Sequence, residues 1–83
     1  MAAGPPNNKR PRVIPVRPVD SSLAHSIGHD ADADILRIKF KSGGTYDYFA
    51  VPAEKHAEML KADSLGKYFH REIRGHHEYE RVD

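Results

Sequence analysis

No stretch constrains this chain more than the run from Ile35 to Pro52. Leu36, Ile38 and Phe40 alternate with Arg37, Lys39 and Lys41. That period of two predicts a strand over Ile35–Lys41 with one apolar and one wholly basic face. Ser42-Gly43-Gly44 then supplies residues that accept the positive φ of a tight hairpin. Thr45–Val51 returns as the next strand, and Pro52 suits the first turn of a helix, where its missing N–H costs nothing. Sheet therefore gives way to helix within Thr45–Pro52, which holds three of the seven aromatic residues.

Loop length decides which way Tyr46 and Tyr48 face. A two-residue loop sets them beside Arg37 and Lys39, an aromatic and basic platform suited to bases. It also turns Asp47 in among Leu36, Ile38 and Phe40, where an unpaired carboxylate is costly. A three-residue loop, Ser42–Gly44, instead pairs Lys39 with Asp47 on the open face. The tyrosines then join Ile38 and Phe40 against the helices, and Phe49 is left outside near Arg37. Burying a charge costs more than exposing one ring, which favours the three-residue loop.

Ahead of the hairpin, Ser21–Gly28 reads as a first strand, with Leu23, His25 and Ile27 on one face and Ser22, Ala24 and Ser26 on the other. A polar turn over 29–34 follows it. Beyond Pro52, the spacing of His56, Met59, Leu60 and Asp63 predicts a helix over Ala53–Ala62. Asp63-Ser64 offers a cap for a second helix, in which Leu65, Phe69 and Ile73 recur every four residues. Phe69 and Ile73 are expected in the core, and Gly75 ends the helix. The expected fold is α+β: a three-stranded antiparallel β-meander followed by two short helices packed on one face. Residues 1–18 hold five of the six prolines and read as a flexible, disordered Pro-rich arm. The domain is expected over 19–79, with 80–83 a tail, and nothing periodic marks His76–Asp83.

Composition removes several functions. Without cysteine there is no disulfide, no thiolate metal site and no cysteine nucleophile. No apolar run approaches the ~18 residues of a membrane span, and the N-terminus lacks the apolar segment of a secretory signal. A soluble cytoplasmic protein is the default expectation. Asp30, Asp32 and Asp34 are spaced like the start of a calcium loop. The glycine that such a loop needs is Ile35, however, and its bidentate glutamate is Lys41. His25 and His29 lie too far apart along a strand to share an ion, and His76 and His77 diverge as neighbours. Asp20, Ser21, Ser22 and His25 lack the glycine-rich elbow of a hydrolase. No catalytic residue, metal or cofactor is expected.

The net charge of +1 conceals an asymmetry. Lys9, Arg10, Arg12 and Arg17 stand in residues 1–18 without an acid, whereas the remainder has nine basic against twelve acidic residues. A basic arm and the basic strand face point first to a nucleic-acid partner, RNA or DNA, held by Arg37, Lys39 and Lys41 with Lys9, Arg10 and Arg12. The second reading is a module docking on a larger protein, such as a polymerase or a synthetase. Oligomeric state is not fixed by the sequence.

Taken together, Ser21-Ser22, Ile27-Gly28, the strand ending at Phe40 with Gly43 soon after, Tyr46-x-Tyr48 and Val51-Pro52 resemble the KTSC domain. So do Leu60-x-Ala62-x-Ser64-x-Gly66-x-Tyr68-Phe69 and Ile73-Arg74. That family takes its name from the C-terminus of some lysyl-tRNA synthetases and also occurs as free-standing small proteins. The resemblance covers roughly residues 19–79. It implies a small α+β domain and the RNA-binding role proposed for the family, and it brings no catalytic residues. The chain departs from the family at His29 and His56, usually tyrosine, and at His70, usually asparagine.

Overall fold

A computed structural model describes residues 13–83. Its strands are β1 (Arg17–Pro18), β2 (Ala24–Asp30), β3 (Ile35–Phe40), β4 (Thr45–Tyr48) and β5 (Tyr79–Arg81). They form one antiparallel sheet in the order β1-β2-β3-β4-β5. Between β4 and β5 run α1 (Ala53–Lys61) and α2 (Leu65–Tyr68), the latter widening into a π-helical turn over Phe69–Ile73. The α+β class is as expected, but the sheet has five strands rather than three.

Both extra strands come from segments expected to lie outside the fold. Residues 13–18, assigned to the arm, instead run against β2, where Arg17 pairs with Ile27 and Pro18 with Ser26. Gly28 makes the approach possible, because a Cβ there would collide with the carbonyl of Pro15. Ile14 is buried as a result. The other segment, expected to be a polar tail, pairs Asp47 with Glu80 across β4 and β5. Val82 N–H donates to the Thr45 carbonyl at 2.8 Å, and Phe49 N–H to that of Glu78 at 2.9 Å. Residues 1–12, including Lys9, Arg10 and Arg12, lie outside the described residues.

The hairpin carries the odd-numbered loop that charge burial demands, one residue earlier than expected. Phe40 N–H donates to the Gly44 carbonyl at 3.0 Å, and the Phe40 carbonyl accepts from Gly43 N–H at 3.1 Å. The loop is therefore Lys41-Ser42-Gly43, with Gly43 and Gly44 at φ 112° and 88°. Asp47 pairs with Arg37, where Lys39 was expected; Lys39 faces Thr45. Parity is unchanged, so Tyr46 and Tyr48 stand opposite Ile38 and Leu36 on the inner face, toward the helices.

In β2 a bulge between Ala24 and Ser26 breaks the expected alternation. The extra residue brings Ala24 and Ile27 into the core together and leaves His25 exposed. Leu36, Ile38, Tyr48, Met59, Phe69 and Ile73 complete most of that core. Ser64 caps α2 as expected, accepting from Lys67 N–H at 3.2 Å. Gly75, at φ 82°, follows the helix end. Tyr68 ties the helices together by donating to the Glu58 carboxylate at 2.7 Å. Leu60, expected on the buried stripe of α1, is 50 % exposed; Met59 alone of that helix is fully enclosed.

On the outer face, Arg37 Nε and Nη2 donate to Asp47 Oδ1 and Oδ2 at 2.7 and 2.9 Å. The two side chains are only 17 % and 7 % exposed. Asp47→Ala strands a largely enclosed guanidinium and is expected to cost about 3 kcal/mol in denaturant unfolding. Combining Arg37→Met with Asp47→Leu should recover most of that loss. A cost below about 1 kcal/mol for Asp47→Ala would place the pair among weak surface bridges instead.

Candidate functional site

The basic strand face does not survive as a cationic surface. Arg37 is neutralised and its guanidinium raised further in basicity, chiefly by its hydrogen bond to Asp47. Glu80, paired with Asp47, adds a second carboxylate to the same side of the sheet. Lys39 remains exposed on the outer face, and Lys41 is exposed in the hairpin loop. Of the six candidate cations, then, only these two are described and exposed, and they belong to different elements.

A more organised site lies on the inner face, where β5 extends the sheet beside the helices. Non-hydrogen-bonded cross-strand pairs bring side chains closest, and Tyr48 faces Tyr79 while Tyr46 faces Arg81 in such pairs. The Tyr79 ring lies 5.8 Å from that of Tyr46 and 5.4 Å from that of Tyr48. Phe69 closes the inner side, edge-on to Tyr48 at 5.4 Å and to Phe40 at 5.6 Å. These rings bound a cleft of about 370 Å³. Tyr48 is buried at its base, and desolvation pushes its hydroxyl up to about 12. Tyr79, by contrast, is 61 % exposed.

Arg74 brings a cation to the rim of the same cleft. Outside that lining, the Arg81 guanidinium sits 5.9 Å from the Tyr46 ring centroid, and its Nε donates to Asp83 Oδ1 at 2.9 Å. His70 and Arg74, 3.5 Å apart, come from the π-helical turn and the residue after it, and both line the cleft with Ser42. The arrangement offers flat aromatic surface with one guanidinium, that of Arg74, at its edge. No three His or carboxylate side chains converge to hold a metal among the described residues. Sequence reasoning missed Tyr79 and Arg81. Their signal was the alternation of Glu78 and Glu80 with Tyr79 and Arg81, which is too polar for a hydropathy pattern to register.

One histidine holds the cleft's outer strand in place. His77 Nδ1 donates to the Phe49 carbonyl at 2.9 Å, and its Nε2 receives Lys55 Nζ at 3.0 Å. The same ammonium donates to the Glu72 carbonyl at 3.1 Å. The ring is therefore neutral, and desolvation keeps it below the usual imidazole range, as it does for His56 beside His29. Folding resists protonation at both positions, while the unfolded chain accepts protons near pH 6.5. Stability from these groups is thus present above about pH 6.5 and lost as pH falls below it. The unfolding midpoint should drop by several degrees between about pH 7.5 and 5.5, and by less in His77→Gln. A midpoint that rises over that interval would contradict the neutral assignment.

Three comparisons bear on identity. The KTSC domain matches the chain over residues 20–79. An uncharacterised protein of Stutzerimonas stutzeri is 41 % identical over 66 residues, covering 78 % of this chain and 93 % of its own. A lysine–tRNA ligase of Trichormus variabilis is 32 % identical over 69 residues, 83 % of this chain but 12 % of the ligase. The crystal structure of a KTSC domain protein from Yersinia pestis superposes with a TM-score of 0.82 at 35 % identity, covering 86 % of this chain and all of that one. The family match takes in β2 to β4, both helices and the residues that line the tyrosine cleft: the chain belongs to the KTSC domain family.

Proposed function

We propose that this domain is a non-catalytic module that binds single-stranded RNA by receiving an unpaired base in the tyrosine cleft. The observation that carries the reading is the meeting of Tyr46, Tyr48 and an exposed Tyr79 in a cleft lined by Arg74, with Arg81 beside the Tyr46 ring. Aromatic faces accept any base by stacking, and adjacent guanidinium groups take the phosphates on either side. A volume of about 370 Å³ suits one nucleotide rather than a duplex. RNA is preferred over DNA because the same domain type occurs in proteins named lysine–tRNA ligases. Lys41 at the loop, Lys39 behind the sheet, and Lys9, Arg10 and Arg12 of the N-terminal segment add charge that favours approach of a polyanion.

Fluorescence anisotropy with a labelled single-stranded oligoribonucleotide tests this, with duplex RNA and single-stranded DNA as competitors. Tyr79→Ala, at an exposed position, should retain the fold by circular dichroism and weaken binding about tenfold or more, the worth of one stacked base. Arg74→Gln should lower the salt slope by about one, whereas Arg37→Gln should act through stability alone. Absence of saturable binding at low salt, or unchanged affinity in Tyr79→Ala, overturns the reading.

A further inference from the structure

The edge of the sheet opposite the cleft carries a second concavity, independent of the RNA reading. It lies between α1 and the chain that runs through β1 onto β2, and encloses about 480 Å³. His29 and His56 stack within it, ring centroids 5.1 Å apart and planes 11° from parallel. His29 Nε2 is held by the Val51 carbonyl at 2.6 Å, which fixes the pair against the end of the hairpin. Leu60 forms one wall, and its exposure is the anomaly of α1: an aliphatic side chain at a stripe position, open to solvent. Val13 and Val16, also exposed, flank the segment that forms the other wall. Three of the four large apolar side chains exposed among the described residues thus belong to this end of the molecule.

Charge and backbone chemistry narrow what could cover it. Arg17 and the two imidazoles line the groove, and among the described residues none that lines it is acidic. Pro18 removes a backbone donor from the free edge of the two-residue β1, which disfavours capture of a partner there as an added strand. Contact must come through side chains. An aliphatic group fits against Leu60, Ile27 and the proline rings, and a carboxylate fits beside Arg17.

We infer that this groove is a docking site for a segment of another protein that presents an aliphatic anchor flanked by carboxylates. NMR titration of the full chain with a hexapeptide of two leucines bracketed on each side by two glutamates tests it. Saturable shifts are expected at Arg17, His56 and Leu60, and Arg17→Glu and Leu60→Asp should each weaken binding at least about fivefold. Both positions are exposed, so both variants keep the fold, and both should bind RNA as the parent does. A lysine-bracketed control peptide should not saturate. Equal response to the two peptides, shifts confined to Tyr79 and Arg74, or indifference to Leu60→Asp would overturn the inference. So would dimerisation of the free chain that Leu60→Asp abolishes, since the groove would then belong to a second copy. Failure of this titration leaves the cleft and its RNA assay untouched, because the two surfaces share no residue.

Discussion

The bidentate contact between Arg37 and Asp47 is the constraint on which the rest of this sheet depends. It joins a non-hydrogen-bonded pair, the position where cross-strand side chains come closest, so it recognises one register and no other. A slip by one residue would carry Asp47 into the apolar layer and both tyrosines out of it. With the pair in place, Tyr46 and Tyr48 are committed to the inner face. The main-chain groups of Asp47 then point outward from β4, where Glu80 takes them up and β5 forms. One ion pair on the outer face thereby decides what stands on the inner one.

Much of this was legible in the residues and some was not, for identifiable reasons. Alternation in Ile35–Phe40, the two glycines, the Ser64 cap and the stop at Gly75 are local signals, and each operates as written. The parity of the hairpin loop followed from a comparison of magnitudes, since burying an unpaired carboxylate costs more than exposing Phe49. The loop's exact bounds did not follow, because Phe40 gains a place against Tyr46 and Phe69 by staying in the strand. The bulge at His25 left no trace in composition. Nor did β1 and β5: the first is two residues with a proline, and the second draws its stability from main-chain pairing and ring contacts rather than aliphatic burial. The candidate site suffered most from this. Its cations were counted on Arg37, whose partner lies ten residues away, while the exposed aromatic that opens the cleft lay in what looked like a tail.

The two concavities sit at opposite edges of one small sheet and differ in chemistry. At the β5 edge, rings and guanidinium groups face solvent around a π-helical turn, a local distortion often found where a helix meets a ligand. At the β1 edge, aliphatic groups and stacked imidazoles do so. A domain of this size buries a smaller share of its surface than a larger one, about 60 %, so each exposed group is one that folding could spare. Both edges also depend on flanking segments packed against the sheet: residues 14–18 over Gly28, and residues 77–82 through His77 and the β4 ladder.

The cleft exists only if β5 pairs with β4, because Tyr79 reaches Tyr46 and Tyr48 from that strand. Residue-resolved amide hydrogen exchange of the free chain tests it directly. The ladder directs the Glu80 and Val82 N–H groups at Asp47 and Thr45, and turns those of Tyr79 and Arg81 to the open edge. Alternating protection is therefore predicted, slow at Glu80 and Val82 and fast at Tyr79 and Arg81. Uniformly fast exchange from Glu78 to Asp83 would show that the strand is not formed, and the cleft as described would not exist.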